Sequence, residues 1–590
     1  MTALLEITNL NVHFALADGD VHAVQDASLS IQEGECLGVV GESGSGKSQL
    51  FLAAFGLLAG NGRASGSVRY RGEEILGASP KRLNSLRGGA VTMIFQDPLT
   101  SLTPHMRVGA QIMEALILHR RVSRAEAQTR AREMLDYVRV PDGARRLRQY
   151  PHELSGGMRQ RVMIAMATIT GPDLIIADEP TTALDVTVQA QILEILRALK
   201  IEKKTAIAMV SHDMGVIAGL ADRVQVMRHG RIVENGATDD IFYSPRHAYT
   251  RMLLEAIPKA DEMPLVDSTG ITGAPLLRVE DLEVGFPVKD QGIFGKTRTL
   301  RAVDGVSFTL HQGETLGVVG ESGCGKSTLA RAVLQLLPKT RGRVAWLGRD
   351  LDAATQSDIR KLREDFQIVF QDPLASLDPR MPIGVSIAEP LKALEPHLPR
   401  AALRDRVRAA MQRVGLDPAW INRYPHELSG GQNQRVGLAR AMIVGPKLLV
   451  CDEAVSALDV SIQAQIVALI RALQAETGLA LIFISHDLSV VRRLSHRVMV
   501  LYLGRVVELA PSISLYTDPR HPYTRALLSA VLTPDPRAER ARKRELLTGD
   551  LPSPLDPRAG LTFLKSRLNT PDYRPKLEQV MCDHWVAEHD

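Results

Sequence analysis

Two ten-residue stretches carry the residues best suited to phosphate chemistry. Residues 41–50 read GESGSGKSQL, and residues 320–329 read GESGCGKSTL. Both fit GxxxxGKS, in which glycines let backbone N–H groups curl around phosphates, the lysine reaches the β- and γ-phosphates and the serine hydroxyl ligates Mg²⁺. We therefore expect two phosphate-binding sites. Their candidate binding residues are Gly41, Ser43, Gly44, Gly46, Lys47 and Ser48 in the first loop, and Gly320, Ser322, Gly323, Gly325, Lys326, Ser327 and Thr328 in the second.

An acidic pair ends an apolar run downstream of each loop. The run DLIIADE ends in Asp178 and Glu179, and KLLVCDE ends in Asp452 and Glu453. Such a run suits a buried parallel strand whose carboxyl end opens at the ligand crevice. We expect Asp178 and Asp452 to hold the metal and Glu179 and Glu453 to polarise an attacking water. The alternative is a solvated acidic pair, and the position of both pairs downstream of phosphate loops argues against it.

Phosphoryl transfer also needs a group that senses and stabilises the γ-phosphate. His212 and His486 end the apolar runs AIAMVSHD and LALIFISHD, and a duplicated histidine beside this machinery favours a catalytic role over a structural one. Gln96 and Gln371 follow MIF and IVF. They are candidates to contact Mg²⁺ or water, although a glutamine after an apolar run indicates nothing by itself.

The elements around these residues are written twice along the chain. Each phosphate loop follows a short apolar run and precedes apolar residues at helical spacing, which predicts strand, loop and helix. IFQDPLTSLTP from Ile94 matches VFQDPLASLDP from Val369, and YPHELSGGMRQRV from Tyr150 matches YPHELSGGQNQRV from Tyr424. A repeat of this length in constant order indicates two duplicated domains. The predicted boundaries are residues 1–258 and 276–533 for the domains, 259–275 for the linker and 534–590 for a C-terminal tail.

The bulk composition agrees with two domains and excludes several function classes. A chain of 590 residues exceeds the size of one ordinary core. Its net charge of +4, from 71 basic and 67 acidic residues, gives no field that would favour nucleic acid. The four cysteines form no CxxC pair, so neither a disulfide framework nor a zinc site is supported. We find no long apolar run and no signal-peptide pattern, and expect a protein that neither spans a membrane nor is exported.

A Ser-Gly-Gly segment lies between the phosphate loop and the acidic pair in each half. Residues 154–158 read LSGGM and residues 428–432 read LSGGQ, and each opens an apolar-periodic helix that offers bare N–H groups to an anion. In this position LSGGQ resembles the signature of the ATP-binding cassette family. The resemblance covers about residues 1–533. It implies an α/β fold of two tandem P-loop NTPase cassettes, each with a RecA-like core, an antiparallel β subdomain and a helical subdomain.

The resemblance also implies how the two cassettes bind ATP and Mg²⁺. In that family two cassettes pack head to tail, and each ATP is held by the phosphate loop of one and the signature of the other. Ala-Leu-Asp at 183–185 and at 457–459 would touch across the same interface. Metal ligands would be Ser48, Asp178, Gln96, Ser327, Asp452 and Gln371, and the signature residues contacting ATP would be Ser155, Gly156, Gly157, Ser429, Gly430, Gly431 and Gln432.

Further motifs narrow the resemblance to importers of dipeptides, oligopeptides and nickel. The FQDPxxSLxP and YPHELSGG segments, the PRHxYT element after each cassette and residues 286–308 all resemble such ATPases, here as a fused pair like the single-chain ATPases of peptide and glutathione importers. This implies an ATPase on the cytoplasmic face of the inner membrane, with two permease subunits and an extracytoplasmic solute-binding protein. The helical segment between Gln96 and Tyr150, and its counterpart after Gln371, would carry the groove for the cytoplasmic helices of the permeases. We read His247 and His521 of PRHxYT as parts of structural turns.

Three other functions stay open at this point. A twin-cassette factor acting on ribosomes has similar motifs but usually a long charged helical linker between its cassettes. An ATP-switched scaffold without turnover is disfavoured by Glu179 and Glu453. A DNA-repair cassette protein would need zinc cysteines and a basic face, which the sequence lacks.

Several positions depart from the family pattern. Met158 replaces the signature glutamine, Ala454 stands where the first half has Pro180, and Gln49 stands where the second has Thr328. None removes a catalytic group, so we expect two competent sites that need not be equal.

The tail and the adenine contacts add weaker expectations. The tail resembles a segment that normally carries cysteines for an iron–sulfur cluster, but Leu561 stands at the first of those positions and only Cys582 lies nearby, so we expect no cluster. The basic run RAERARKREL is read as a solvated face of a surface-laid tail. Phe14 and Phe286 are candidates to stack on adenine.

Overall fold

The computed structural model divides the chain into two units. One is formed by Met1–Lys259 together with Leu532–Asp550, and the other by Ala260–Val531 together with Leu551–Asp590. The residues that the structure describes are 3–16, 19–182, 184–256, 273–289, 297–455, 458, 460–545, 547, 552–553, 555–556, 558–570 and 573–590. Most of the predicted linker, 259–272, therefore lies outside the described residues. The domain boundaries stay a prediction, but the segment that we read as one tail is shared between the two units.

The first unit alternates strands and helices after an initial hairpin. Its strands are β1 (Leu5–Leu16), β2 (Gly19–Ile31), β3 (Cys36–Val40), β4 (Gly62–Tyr70), β5 (Glu73–Glu74), β6 (Val91–Ile94), β7 (Leu174–Asp178), β8 (Ala206–Ser211), β9 (Arg223–Arg228) and β10 (Arg231–Ala237). Its helices are α1 (Lys47–Ala54), α2 (Pro80–Leu86), α3 (Pro98–Ser101), α4 (Val108–Arg120), α5 (Arg124–Tyr137), α6 (Gly143–Arg146), α7 (Gly156–Thr168), α8 (Val186–Lys203), α9 (Met214–Leu220), α10 (Thr238–Tyr243) and α11 (Ala248–Ala256).

A six-stranded sheet forms the centre of this unit. Its order is β10-β9-β3-β8-β7-β6, and all neighbours are parallel except β10, which runs antiparallel to β9. Strands β3, β7 and β8 are buried over their whole length, as expected of parallel strands covered on both faces. Because β3, β6, β7 and β8 are parallel neighbours, the residues that follow them meet at one edge of the sheet.

Two further layers complete the first unit. Strands β2-β1-β4-β5 form a separate antiparallel sheet, whose inward residues share a core with β3, β8 and α1. Helices α4 and α5 pack with α7 through apolar residues such as Ile112, Leu116 and Leu135. These layers correspond to the expected antiparallel and helical subdomains.

The second unit repeats this arrangement. Its strands are β11 (Leu277–Lys289), β12 (Thr297–Leu310), β13 (Thr315–Val319), β14 (Arg341–Trp346), β15 (Arg349–Asp350), β16 (Phe366–Val369), β17 (Leu448–Asp452), β18 (Ala480–Ile484), β19 (Arg497–Tyr502), β20 (Arg505–Pro511), β21 (Leu577–Met581) and β22 (His584–Ala587). The helices that follow in chain order are α12 (Lys326–Val333), α13 (Gln356–Leu362), α14 (Ile383–Leu394), α15 (Arg400–Arg413), α16 (Gly430–Met442), α17 (Val460–Thr477), α18 (Leu488–Leu494), α19 (Ser512–Thr517), α20 (Pro522–Ala530) and, in the first unit, α21 (Pro536–Ala541).

The central sheet of the second unit is two strands longer than that of the first. Its order is β16-β17-β18-β13-β19-β20-β22-β21, in which the last three strands are antiparallel neighbours. The additional strands come from the C-terminal segment, where Glu508 pairs with Val586 and Leu509 with Trp585. The C-terminal residues therefore cover a sheet edge that would otherwise expose unpaired backbone groups.

The basic run in the C-terminal segment is a solvated face only in part: Arg537, Arg540 and Lys543 are exposed as expected, but Glu539 and the side chain of Arg544 are not. Helix α21 packs against α9, and Glu539 on it is fully buried. Glu539 pairs with Arg544, accepts a hydrogen bond from the backbone N–H of Thr533 at 3.1 Å, and Arg544 also lies 3.4 Å from Glu194 of α8. Buried charges occur where they are paired, and the sequence gives no sign of these distant partners.

In the described part of the chain, no helix combines the length and apolar character needed to cross a membrane.

Candidate functional site

The first phosphate loop joins β3 to α1 and is wound tightly around the lysine. Lys47 is almost fully buried, and its Nζ donates to the carbonyl oxygens of Gly41 at 2.8 Å and Glu42 at 2.9 Å. Gly46 caps the helix with φ of 96°, and a Cβ there would collide with the carbonyl oxygen of Ala23. Glycine is therefore required at this position, and the helix N-terminus faces the loop.

The second loop, between β13 and α12, has the same geometry. Lys326 Nζ donates to the carbonyl oxygens of Gly320 at 2.7 Å and Glu321 at 3.1 Å. Gly325 has φ of 105°, and its Cβ would collide with the carbonyl oxygen of Ala302. The remaining loop residues occupy matching places, since Gly44 and Gly323 both have positive φ and open space around them. Ser43, Ser322 and Thr328 lie in or directly after these loops.

A serine–aspartate pair links each loop to the neighbouring acidic strand end. Ser48 Oγ donates to Asp178 Oδ1 at 2.8 Å, and Ser327 Oγ donates to Asp452 Oδ1 at 2.7 Å. Burial raises the pKa of both aspartates, against the lowering effect of these hydrogen bonds. Such carboxylates gain most from a cation, because a nearby positive charge offsets their desolvation.

The first glutamate lies at the centre of a polar cluster. Gln96 Nε2 donates to Glu179 Oε2 at 2.9 Å, and Thr182 Oγ1 donates to the same oxygen at 3.0 Å. His212 Nδ1 lies 3.2 Å from Glu179 Oε1. The structure thus gathers the ends of β6, β7 and β8 around one carboxylate. The sequence analysis missed Thr182, whose only signal is its position three residues after the glutamate.

The second glutamate has a corresponding set of partners. Gln371 Nε2 donates to Glu453 Oε2 at 2.9 Å, and His486 Nδ1 lies 3.6 Å from the same oxygen. Lys326 Nζ lies 3.8 Å from Glu453 Oε1. Every residue predicted to act in one unit's hydrolytic chemistry is therefore within that unit's cluster.

Both glutamates have a strained backbone and a lowered pKa. Glu179 has φ of 47° and Glu453 has φ of 51°, in the left-handed region that side chains disfavour. Burial alone would raise the pKa of Glu179, but the imidazole of His212, the Thr182 hydroxyl and Lys47 hold it below its ordinary value. For Glu453, His486 lowers the pKa and Lys326 contributes in the same direction, against burial. Each carboxylate is ionised at neutral pH and able to accept a proton.

The donor set around each serine–aspartate pair fits a magnesium ion. Hydroxyl, carboxylate and amide oxygens from Ser48, Asp178 and Gln96 are hard ligands of the kind that Mg²⁺ takes. Ser327, Asp452 and Gln371 supply the same chemistry in the second unit.

The signature segments lie at the N-termini of long helices. Ser155 caps α7 by accepting a hydrogen bond from the N–H of Met158 at 3.2 Å. A Cβ on Gly157 would lie 2.8 Å from Val188, whereas Gly156 faces open space. Gly157 is therefore explained by packing on α8, and Gly156 leaves its backbone accessible to a ligand.

The second signature differs by one reciprocal hydrogen bond. Ser429 accepts from the N–H of Gln432 at 3.4 Å, and Gln432 Oε1 accepts from the N–H of Ser429 at 2.9 Å, which completes a capping box at α16. Met158 cannot supply this second bond. As in the first helix, a Cβ on Gly431 would meet Ile462, while Gly430 has more space around it.

A second asymmetry lies at the residue after each glutamate. Gln160 Nε2 donates to the carbonyl oxygen of Pro180 at 2.7 Å. At the matching place in the second unit, Ala454 replaces the proline, and Gln434 Nε2 has no hydrogen-bond partner among the described residues.

The Ala-Leu-Asp segments at 183–185 and 457–459, predicted to touch between the cassettes, are described only in part. Ala183, Ala457 and Asp459 lie outside the described residues. Phe286 is 36% exposed and Phe14 partly buried, so adenine stacking stays a prediction for both.

The PRHxYT elements are structural turns anchored on a glutamate, as we read them. Glu234 accepts hydrogen bonds from the backbone N–H groups of Arg246 and His247, and Glu508 does the same for Arg520 and His521. The ring nitrogen of each histidine accepts a hydrogen bond from the N–H of the tyrosine two residues later.

Comparison with protein families finds two models, each matching the chain twice. The model described as "ABC transporter" matches residues 24–182 and 303–456. The model described as "Oligopeptide/dipeptide transporter, C-terminal region" matches residues 233–280 and 507–567. The PRHxYT elements lie inside the second set of matches.

Two relatives match nearly the whole chain, and one solved structure is similar to part of it. The chain is 46% identical over 582 residues to the glutathione import ATP-binding protein GsiA of Escherichia coli O6:H1, with 93% of each chain covered. It is 44% identical over 615 residues to the protein of the same name from Pectobacterium atrosepticum, covering 99% of this chain and 97% of that one. The dimeric ATP-binding cassette MJ0796 bound to ADP and phosphate is 27% identical, covers 40% of this chain and 98% of that one, and has a TM-score of 0.37.

Proposed function

We propose the following function on the premise that this chain belongs to the ABC transporter family. The two cassettes matched by the family model and the relatives that cover nearly the whole chain show this membership. The chain binds and hydrolyses ATP as the ATP-binding subunit of an importer. The observation that carries this function is the duplicated cluster of phosphate-loop lysine, serine–aspartate pair and glutamate. The ribosome factor and the scaffold without turnover find no support among the relatives.

In the proposed mechanism each glutamate orients and deprotonates the attacking water. Ser48, Asp178 and Gln96, and their counterparts Ser327, Asp452 and Gln371, would hold a Mg²⁺ ion, which would supply neutralisation of phosphate charge. Lys47 and Lys326, released from the loop carbonyls, bind the phosphates. Gln96 and Thr182 orient the carboxylate of Glu179, while His212 keeps it ionised and stabilises charge on the γ-phosphate.

The two sites are completed, in this proposal, by head-to-tail pairing of the cassettes. The loop at 41–48 would face the signature at 429–432, and the loop at 320–327 would face the signature at 155–158. Support comes from the exposed Gly156, whose backbone is accessible at a helix N-terminus. ATP drives closure only as far as it binds the closed form better, and the signatures supply that difference.

Two permease subunits are the proposed membrane partners, and a cleft of about 390 Å³ in the first unit is the proposed contact. Phe95, Leu118, Met163 and Met166 line the cleft. Of these, Phe95 is 40% exposed and Leu118 is 66% exposed. An apolar groove of this kind suits the apolar face of a helix. Phe95 adjoins Gln96, so a helix seated here would act directly on the residue that holds Glu179.

The proposed cargo is a small peptide, with glutathione first to be tested because the relatives are named for it. The chain would act at the cytoplasmic face of the inner membrane, as a peripheral subunit, with a solute-binding protein outside. The test is uptake by proteoliposomes that contain the complete complex, with ATP enclosed and binding protein outside. We expect ATP-dependent entry of labelled glutathione or dipeptide, abolished by Lys326→Ala. ATP hydrolysis without entry of any of these peptides would contradict the proposal.

A further inference from the structure

A buried tyrosine holds the backbone of the second phosphate loop. Tyr523 is fully buried, and its hydroxyl accepts a hydrogen bond from the N–H of Glu321 at 3.2 Å. Glu321 is the second residue of the loop, and its carbonyl oxygen accepts from Lys326 Nζ. One residue, Glu321, therefore lies between the tyrosine and the lysine that binds phosphate. A shift of Tyr523 would therefore move the Glu321 carbonyl oxygen that Lys326 contacts.

The first unit has the same contact in its own loop. Tyr249 OH accepts a hydrogen bond from the N–H of Glu42 at 3.3 Å, and the carbonyl oxygen of Glu42 accepts from Lys47 Nζ. Both tyrosines belong to the PRHxYT elements. The element is thus more than a turn, since it carries a side chain to the phosphate loop in each unit.

The two tyrosines differ in what packs on their rings. In the first unit the guanidinium of Arg228 lies 4.7 Å from the Tyr249 ring centroid. In the second unit Tyr502 lies 4.8 Å and Phe563 5.9 Å from the Tyr523 centroid. Phe563 comes from the C-terminal segment, so the recorded ring contacts of the second tyrosine include a residue from the end of the chain.

The C-terminal segment is itself fixed to the second unit by buried contacts. We call residues 558–590 the clasp. Its His584 lies 2.8 Å from Glu508, both fully buried, and Glu508 is the residue that anchors the PRHxYT turn. Tyr502 OH donates to Thr562 Oγ1 at 3.0 Å, and Leu561 is fully buried. The clasp therefore contacts the turn, the tyrosine and the strand beside the loop at once.

The middle of the clasp contacts the antiparallel sheet of the same unit through Arg574. Arg574 lies 2.8 Å from Glu283 of β11 and 2.9 Å from Asp304 of β12. Asp304 also pairs with Arg505 of β20 at 2.7 Å. The clasp therefore contacts both the antiparallel sheet and the central sheet of the second unit.

We propose that Tyr523 is a positioning residue for the second phosphate loop and that the clasp holds it there through Phe563, so that nucleotide affinity at the second site depends on the C-terminal segment. This inference rests on the proposed ATP-binding function. Tyr249 positions the first loop in the same way, and its recorded ring contact among the described residues is with Arg228. The two ATP sites thereby differ in what controls them.

Removal of one hydroxyl tests the positioning role. In the complete complex, Tyr523→Phe keeps the ring packing and deletes the hydrogen bond, and Tyr249→Phe is the matched variant. Mg²⁺–ADP is titrated while hydrogen exchange is followed in peptides 41–50 and 320–329, which gives an affinity for each loop without turnover. A net hydrogen bond corresponds to about a three- to tenfold change in affinity. We expect Tyr523→Phe to weaken binding by this factor at 320–329 only, and Tyr249→Phe at 41–50 only.

The role of the clasp is tested by Phe563→Ala and the milder Phe563→Leu, with Leu568→Ala, an exposed residue of the same segment, as control. We expect weaker ADP binding and faster exchange at 320–329, no change at 41–50, and unchanged protection of β17, which a variant that fails to fold would lose. Wild-type affinity at 320–329 in Tyr523→Phe, or equal effects of Phe563→Leu on both loops, would overturn the inference. An inactive wild-type complex that binds no nucleotide would instead contradict the proposed function.

Discussion

At the residue scale, the site depends on side chains whose partners are far away in sequence. Glu179 has its carboxylate between Gln96, Thr182 and His212, on three different strand ends. The sequence indicated the glutamate and the histidine because each ends an apolar run in both halves, whereas the apolar run before the glutamine indicates nothing by itself. It could not predict the positive φ of Glu179, since that conformation is imposed by the surrounding contacts and not by local preference.

The buried histidine of the second PRHxYT turn gives a pH prediction. Burial, with His589 and Arg525 nearby, lowers the pKa of His521 to about 3. Below the ordinary histidine pKa of about 6.5, this histidine is protonated in the unfolded chain but stays neutral in the folded chain. The free energy of unfolding therefore falls as pH falls from 6.5 toward 3. At pH 5.5 this loss is about 1.4 kcal/mol.

The measurement is unfolding by denaturant at pH 7.5 and pH 5.5. We expect His521→Asn, which keeps an acceptor for the N–H of Tyr523, to lose less stability on acidification than the wild type. His426→Asn, at an exposed position, serves as control and should follow the wild type. Parallel pH curves for wild type and His521→Asn would contradict this account of the turn.

At the element scale, the two signature helices differ in how they begin. Ser429 and Gln432 form a capping box, and Ser155 with Met158 forms only half of one. Met158→Gln should complete the box and stabilise the start of α7 by on the order of 1 kcal/mol, the net value of one hydrogen bond.

Hydrogen exchange at residues 155–160 measures this effect. We expect slower exchange in Met158→Gln, and the reciprocal variant Gln432→Met should show faster exchange at 429–434. Equal exchange in wild type and Met158→Gln would mean that the cap is completed by another group.

The C-terminal helix α21 gives a second prediction at this scale. Glu539 is fully buried beside Arg544. Breaking a buried pair by removing one partner costs about 3–5 kcal/mol, because the other charge is left unpaired. Glu539→Ala should therefore destabilise the first unit strongly, and Glu539→Ala with Arg544→Met should recover part of the loss. Thermal unfolding measures both, and equal melting temperatures for wild type and Glu539→Ala would show that the pair is not buried in solution.

The sequence predicted the local elements of each unit but not the contacts between segments that are far apart in the chain. Strands β3, β7 and β8 were predicted from apolar runs, and the phosphate loops from spacing alone. The packing of α21 on α9 and the pairing of β22 with β20 were not predicted, because both join segments far apart in the chain and leave no local pattern. Tyr523 was missed for the same reason, since its contact with Glu321 depends on the fold and not on the PRHxYT spacing.

At the scale of the whole molecule, the duplication gives two similar units with specific differences. Each has the lysine, serine, aspartate, glutamate, glutamine and histidine in matching places. They differ at Met158, at Gln49, at Ala454 and in the clasp, among other places, and none of these four differences removes a group from the hydrolytic cluster. The central claim is therefore that both sites hydrolyse ATP, at rates that need not be equal.

The measurement that tests this claim most directly is ATP turnover by the purified complex with its permeases, for wild type, Glu179→Gln, Glu453→Gln and the double variant. A glutamine keeps the size of the side chain but accepts no proton from water. We expect each single change to reduce turnover heavily, by on the order of 10²-fold, as for loss of a general base, and the double variant to retain bound ATP without hydrolysis. Turnover close to wild type in either single variant would show that the corresponding site is not catalytic and would contradict the account.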